Sequence, residues 1–324
     1  MLTFAADEGI QYHVDMKNAS YCVWADTYTG TDLGRYTVIY DHHLPTTAGW
    51  IIPHSVLHEI FLNERSLYQI QQIKDMVLQD SATELQTGRK MVTRIINAVR
   101  IPGMFRSSVV ATYEHLADHE RSIRHQHTTH LHQAQDILTH IYHPPTVTVS
   151  TLPVPDHSAI ASGEASLIDT LKQVLIDYIS IRLHHQTPIT LPSLLIRRLP
   201  RAEYVGTCDT TDSALADRSQ LTISAHHGSL RLDEAADIYT VNKSSLSITS
   251  KHILTQPYQM MLRGNGYVKT PLHDSVGSTQ NLTDEMILRV ADMARDIEKK
   301  LYFPHRIEWA IEKGEIYVME VKKI

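Results

Sequence analysis

Phe303-Pro304-His305-Arg306-Ile307-Glu308-Trp309-Ala310-Ile311-Glu312-Lys313-Gly314-Glu315-Ile316-Tyr317-Val318-Met319-Glu320-Val321-Lys322 is the stretch on which the fold of this chain turns. Arg306–Ile311 and Glu315–Val321 flank Glu312-Lys313-Gly314, which reads as a closing β-hairpin with Lys313-Gly314 at its turn. Residues two apart share a strand face. Arg306 therefore sits beside Glu308, and Lys322 beside Glu320. Glu308 and Glu320 stand at the two ends of the hairpin, on strands that would pair. Facing one cleft, they make a carboxylate pair able to hold a divalent cation. The opposite reading uses the same residues: a salt-bridged strand pair with no metal. Glu312, near the turn, is expected to face solvent.

Upstream, Met286–Leu301 predicts a helix with Thr283 as N-cap and Asp284 and Glu285 in its first turn. Leu194–Ile196, Leu221–Ile223, Ile238–Val241 and Leu246–Ile248 are short strand signals between turns. Leu167–Leu183 is an amphipathic helix, and Pro153–Gly163 reads as a linker or loop. Thr146–Ser150 alternates like a strand, and His119–Tyr142 is a polar helix crowded with histidine. Phe105–Val110 and Tyr36–Tyr40 read as strands by their β-branched and aromatic content. Ser66–Leu78 and Ala82–Val99 predict helices, and Pro53 opens another through Val56, Leu57, Ile60 and Phe61. A helix-rich half, residues 1–187, thus precedes a strand-rich half, residues 188–324, with one late helix. This is an α+β architecture, not the regular alternation of a doubly wound sheet.

Composition removes several function classes. With 30 basic against 36 acidic residues the formal charge is −6, which lacks the basic excess that general nucleic-acid binding demands. No apolar run approaches the roughly 18 residues of a membrane span. The start, Met1 to Glu8, has no basic region before its acids and does not read as a secretory signal. Two cysteines, Cys22 and Cys208, can build neither a disulfide framework nor a cysteine zinc site. A cytoplasmic location is the expectation. Thirteen glycines in 324 residues, about 4% against a usual value of about 7%, speak against several glycine-rich phosphate loops.

The tail resembles the end of the nucleotide-binding domain of phosphoenolpyruvate synthase and pyruvate phosphate dikinase. There Pro-x-Asp-Ile-Glu-Trp precedes a short turn and a strand ending Gln-x-Arg. Other stretches follow in the family's order. Arg106-Ser107-Ser108 looks like its Arg-Ser-Ser strand. Ser122-Ile123-Arg124-His125-Gln126, followed by Leu131, stands where the family has Ser-Phe-Ala-Gly-Gln and a leucine. Leu33-Gly34, Leu44-Pro45 and Gly49-Trp50 resemble its opening Gly-Lys-Gly-x-x-Leu-Gly, Leu-Pro and Gly-Phe. Leu194–Thr210, with Gly206, resembles the central strand pair of the second lobe, and Asp237-Ile238-Tyr239 a Pro-Asp-x-Tyr run.

The resemblance implies an ATP-grasp-like fold, two lobes around a nucleotide cleft, with ATP and Mg2+ as ligands. It places Arg106 on the phosphates as the catalytic cation and Glu308 and Glu320 on magnesium, with Gln126 and Lys322 as lesser cofactor contacts. Phosphoryl transfer is mostly positioning and charge neutralisation, and Arg106 offers a planar fork for phosphate. The family passes phosphate to a histidine in a Gly-Gly-x-Thr-Ser-His-Ala type motif on a separate swivelling domain. The sequence holds no such motif, so an active form would be a phosphotransferase working with a partner that carries the phosphohistidine. Departures favour a rival, a degenerate non-catalytic binding or scaffold protein. Thr29 replaces the opening lysine, His125 a glycine, and Arg306 the magnesium-side aspartate. Gly228-Ser229-Leu230-Arg231 stands for Gly-Leu-Gly-Glu, Glu320 for the final glutamine and Lys322 for the final arginine.

The 21 histidines raise a separate possibility. His115 and His119 are spaced for a metal pair on a helix, while His130 and His132 suit a strand. No His-Glu-x-x-His occurs, and a solvated polar helix face is the simpler reading of the cluster. A pH response between about 5 and 7 is a further option. Arg197, Arg198 and Arg201 form a basic cluster that could meet phosphate or lie on a solvated face. Trp24, Trp50 and Trp309 read as core or interface residues. Ser107-Ser108 lacks a nucleophile-elbow setting.

Overall fold

The computed structural model describes residues 21–77, 82–116, 144–153, 157–184, 188–211, 218–230 and 236–324. β1 (Val23–Trp24), β2 (Gly49–Ile52), β3 (Thr146–Thr151), β4 (Ser158–Ser162) and β5 (Leu194–Arg198) form an antiparallel sheet in the order β1-β2-β5-β3-β4. Alternation gives it two apolar faces. Trp50, Ile52, Leu194 and Ile196 join a core with the helices of the first lobe, whereas Ile51 and Leu195 turn toward the second core.

Those helices are α2 (His54–Phe61), α3 (Glu64–Met76), α4 (Ala82–Ala98), α5 (Gly103–Glu114) and α6 (Glu164–His184), after a short α1 (Thr37–Asp41). Pro53 caps α2 as the sequence suggested, and Leu57, Ile60 and Phe61 form its buried face. Three local expectations are corrected. Phe105–Val110 is helical: Pro102 starts α5, and Phe105, Val109 and Tyr113 recur at four-residue spacing to give one buried stripe, so the period is that of a helix. Tyr36–Tyr40 is the join of a 3-10 turn (Thr31–Tyr36) and α1, and buries Ile39 and Tyr40 together. Within Pro153–Gly163, residues 158–162 are not loop but β4, hydrogen-bonded to β3.

The second sheet runs β13 (Glu315–Lys323), β12 (His305–Glu312), β6 (Tyr204–Asp209), β7 (Gln220–His227), β8 (Asp237–Asn242), β9 (Ser247–His252), all antiparallel. One face carries Cys208, Ile223, Tyr239, Ile307, Trp309 and Val318 into the second core. Helix α7 (Asp284–Leu301) supplies Ile287, Val290, Ala291, Ala294 and Ile297 to it. Fully burying such an apolar side chain stabilises by about 1.5–3 kcal/mol. Thr283 caps α7 by accepting from the Met286 amide at 3.2 Å, as expected. Gly206 is required beneath Trp309: a Cβ there would lie 2.5 Å from the indole and 1.8 Å from the Ser224 carbonyl oxygen.

Strand β5 pairs in the first sheet, so the strand-rich half expected over 188–324 gives its first strand to the other lobe. The lobes are stitched at this strand. Arg197 donates to the Met319 carbonyl at 2.9 Å, and the Val318 amide donates to Pro45 at 2.6 Å. A hairpin of β10 (Tyr258–Arg263) and β11 (Gly266–Pro271) reaches the first lobe through Asn265, whose Nδ2 donates to Ser166 Oγ at 2.8 Å at the start of α6.

Candidate functional site

The closing hairpin forms as its sequence dictates. Lys313 and Gly314 both take positive φ, 51° and 78°, the pair of conformations a two-residue hairpin turn needs. Ile307, Trp309 and Ile311 point to the core. Arg306 and Glu308 therefore stand on the opposite face of the sheet, away from α7. On one side Glu308 pairs in register with Glu320 and Arg306 with Lys322; on the other Glu308 pairs with Thr207 and Arg306 with Asp209. Thr207 and Ser224, themselves in register, join their hydroxyls at 2.8 Å. The result is a polar patch across four strands.

Its charges are matched internally. Two carboxylates directly opposite on neighbouring strands repel one another. The Lys322 ammonium lies between them, 2.8 Å from Glu320 Oε2 and 3.3 Å from Glu308 Oε1. The hydrogen bond to Glu320 raises the lysine pKa, with further help from the charge of Glu308. Arg306 forks onto Asp209, Nε to Oδ1 at 2.7 Å and Nη2 to Oδ2 at 2.6 Å, the bidentate geometry guanidinium favours. That contact raises the arginine pKa further.

Other sequence candidates lie elsewhere. Arg106 is exposed on the first turn of α5, a helix of the first core, while the hairpin belongs to the second sheet. Thr146–Thr151 forms β3 and is paired with β4. The period-2 alternation of residues 146–150 was the signal for that strand. Thr29 is exposed ahead of the 3-10 turn. Gln126, His125, Arg231 and the histidines from His119 to His143 lie outside the described residues. Among the described residues no group of three or more His, Cys, Asp or Glu is placed to hold a metal.

The arginine cluster is a lobe junction rather than a solvated face. Arg197 is buried and stacks over Tyr36 at 5.0 Å. Arg198 pairs with Glu312 at 2.8 Å, and Glu312 also accepts from the Arg201 amide at 2.9 Å. Glu312 is thus not solvent-facing; its partners come from a distant strand. Beside this junction is a cavity of about 320 Å³, lined by Asp26, Tyr40, Thr46, Thr47, Glu315 and Tyr317 among others, but not by Glu308 or Glu320. Burial pushes the Tyr40 hydroxyl up to about 12. Asp237, fully buried, accepts from Tyr239 Oη at 2.8 Å and from the Leu254 and Asn281 amides at 3.0 Å. The Asp-x-Tyr run is accordingly an anchor of the second core.

Comparison with known proteins agrees with this picture of the second lobe. Residues 179–324 match the family described as pyruvate phosphate dikinase, AMP/ATP-binding domain. The chain is similar to the probable phosphoenolpyruvate synthase of Methanocaldococcus jannaschii, at 29% identity over 135 residues, 40% of this chain and 11% of that protein. It is similar to the phosphoenolpyruvate synthase of Pyrococcus furiosus, at 29% over 149 residues, 41% of this chain and 18% of that one. It also resembles the rifampicin phosphotransferase of Bacillus subtilis, at 30% over 140 residues, 41% and 16%. The matched region therefore spans only 11% to 18% of these three relatives. Among solved structures it is similar to the D-alanine–D-alanine ligase of Bacillus anthracis complexed with ATP, at 13% identity and TM-score 0.29, covering 68% of this chain and 58% of that one. Residues 179–324 thus resemble the nucleotide-binding domain of the pyruvate phosphate dikinase family, and the fold of the described residues is α+β, in two lobes.

Proposed function

We propose that this chain is an ATP-binding module that holds its nucleotide against the polar face of the second sheet. The observation that carries the reading is the opposition of Glu308 and Glu320 on the last two strands of the segment matching the AMP/ATP-binding family. Lys322 and the Thr207–Ser224 hydroxyls complete the patch. In its catalytic form the module would pass phosphate to a histidine on a separate partner. In its non-catalytic form it binds or scaffolds.

The geometry favours the non-catalytic form. Transfer needs cations free to meet phosphate oxygens. Here Arg306 is committed to Asp209 and Lys322 to two glutamates. Arg106 stands on an exposed helix face. Magnesium is the ion the resemblance implies. The carboxylate count suits it, since magnesium takes one or two carboxylates together with substrate phosphates. The setting does not, because the Lys322 ammonium already sits between the two glutamates.

Ligand binding to the native state raises stability by mass action, by about 2.7 kcal/mol at a hundredfold excess over Kd. A thermal-shift titration with ATP is expected to raise Tm in wild type and in Arg106→Ala, and to lose the shift in the Thr207→Val, Ser224→Val double variant. No shift at millimolar ATP would overturn the binding reading. Labelled ATP incubated with the chain alone is expected to stay intact; release of phosphate, abolished by Glu308→Gln, would restore the catalytic form.

A further inference from the structure

We propose that Lys322 is the resident cation of this hairpin, taking the place of a divalent ion, so that the polar face holds its ligand without metal.

Three observations carry this. Glu308 and Glu320 are register partners on adjacent strands, an arrangement that needs a cation between the carboxylates. Lys322 comes from the same face, two residues beyond Glu320, and reaches both glutamates at 2.8 and 3.3 Å. Asp209, the remaining carboxylate of the patch, is closed off by the Arg306 fork at 2.6 and 2.7 Å. Every carboxylate of the patch is therefore already engaged by a cation of the chain itself.

Tethering favours the lysine. An ammonium on the same strand competes at a high effective concentration against an ion from solution. Glu320 is only 12% exposed on its side chain and Glu308 32%, so the trio is partly withdrawn from screening water. A divalent ion entering beside the retained ammonium would meet like charge at contact distance. Arg306, on the neighbouring register pair, adds to that repulsion. The two cations of the patch are thus arranged to exclude a third.

The metal half of this inference stands apart from nucleotide binding; the ligand half rests on the ATP-binding reading. Mn2+ binding by electron paramagnetic resonance, with no nucleotide present, separates them. Wild type is expected to leave submillimolar Mn2+ free. Lys322→Gln is expected to bind it at least about tenfold more tightly, and Lys322→Gln with Glu320→Gln to lose the gain. Stoichiometric Mn2+ on wild type that disappears in Glu308→Gln would overturn the proposal, and that measurement needs no variant to fold beyond Glu308→Gln. A folded Lys322→Gln, checked by circular dichroism, that gains no Mn2+ affinity would overturn it equally. In the nucleotide arm, ATP is expected to shift Tm equally with EDTA and with Mg2+. A shift seen only with Mg2+ counts against Lys322, whereas no shift in either condition sinks the ATP reading and leaves the Mn2+ result to decide this one.

Discussion

At the turn end of the closing hairpin, Glu312 meets Arg198 at 2.8 Å with the two side chains 15% and 13% exposed. At its open end, Glu308 and Glu320 share Lys322, whose side chain is 46% exposed. Both ends match acid with base on the same pair of strands. The turn end does so against the first lobe, with Arg198 over the Tyr317 ring at 5.3 Å. The open end does so on the sheet face opposite α7. Shielding and neighbours, rather than residue type, separate an architectural ion pair from a candidate binding patch.

The comparison breaks most visibly at the turn end. Removing one partner of a shielded pair leaves the other uncompensated, at a cost of about 3 kcal/mol. Arg198→Met is expected to lose about that much stability in urea melts, and the Arg198→Met, Glu312→Met double variant to regain most of it. If the single variant lost nothing, the turn end would be no more structural than the open end.

The open end should yield much less. Exposed pairs contribute about 0.2–1 kcal/mol, so Lys322→Gln is expected to cost under about 1 kcal/mol in the same melts. Part of any loss would reflect the two glutamates left facing one another. A cost matching that of Arg198→Met would make Lys322 a structural strut, and would remove the contrast on which the binding patch depends.

The sequence disclosed one end better than the other, for a physical reason. Lys313-Gly314 announces a tight turn locally, and the spacing of Arg306, Glu308, Glu320 and Lys322 fixes their common face by strand periodicity alone. Thr283 likewise announced α7. Glu312 was misread because its partner, Arg198, lies on β5, which joins the other sheet; no local pattern encodes that contact. Phe105–Val110 looked like a strand because Val109-Val110 is β-branched, yet Pro102 and the Phe105, Val109, Tyr113 stripe were a competing helical signal in the same residues. The resemblance to an Arg-Ser-Ser strand placed Arg106 on the phosphates, and the residue stands on that helix.

The smallest expected effect sharpens the contrast through pH. At the turn end of the sheet, Tyr204 pairs in register with both Ile311 and His227. His227 is buried against the Tyr204 ring at 5.3 Å, and its Nε2 has no hydrogen-bond partner among the described residues. Burial lowers its pKa from the ordinary 6.5, and the charge of Asp237 offsets this in part. Below 6.5 the unfolded chain takes up the proton more readily than the native one. The stability this histidine contributes is therefore complete above about pH 6.5, declines as pH falls through and below that value, and levels off beneath the folded pKa. With 21 histidines in the chain, the test is the difference between wild type and His227→Gln. The variant should show a shallower loss of Tm between pH 7 and pH 5, while Lys322→Gln, altered only at the open end, should keep the wild-type slope. Equal slopes for wild type and His227→Gln would mean that the turn end is wetter than its packing indicates, and the difference in shielding between the two ends would fall with it.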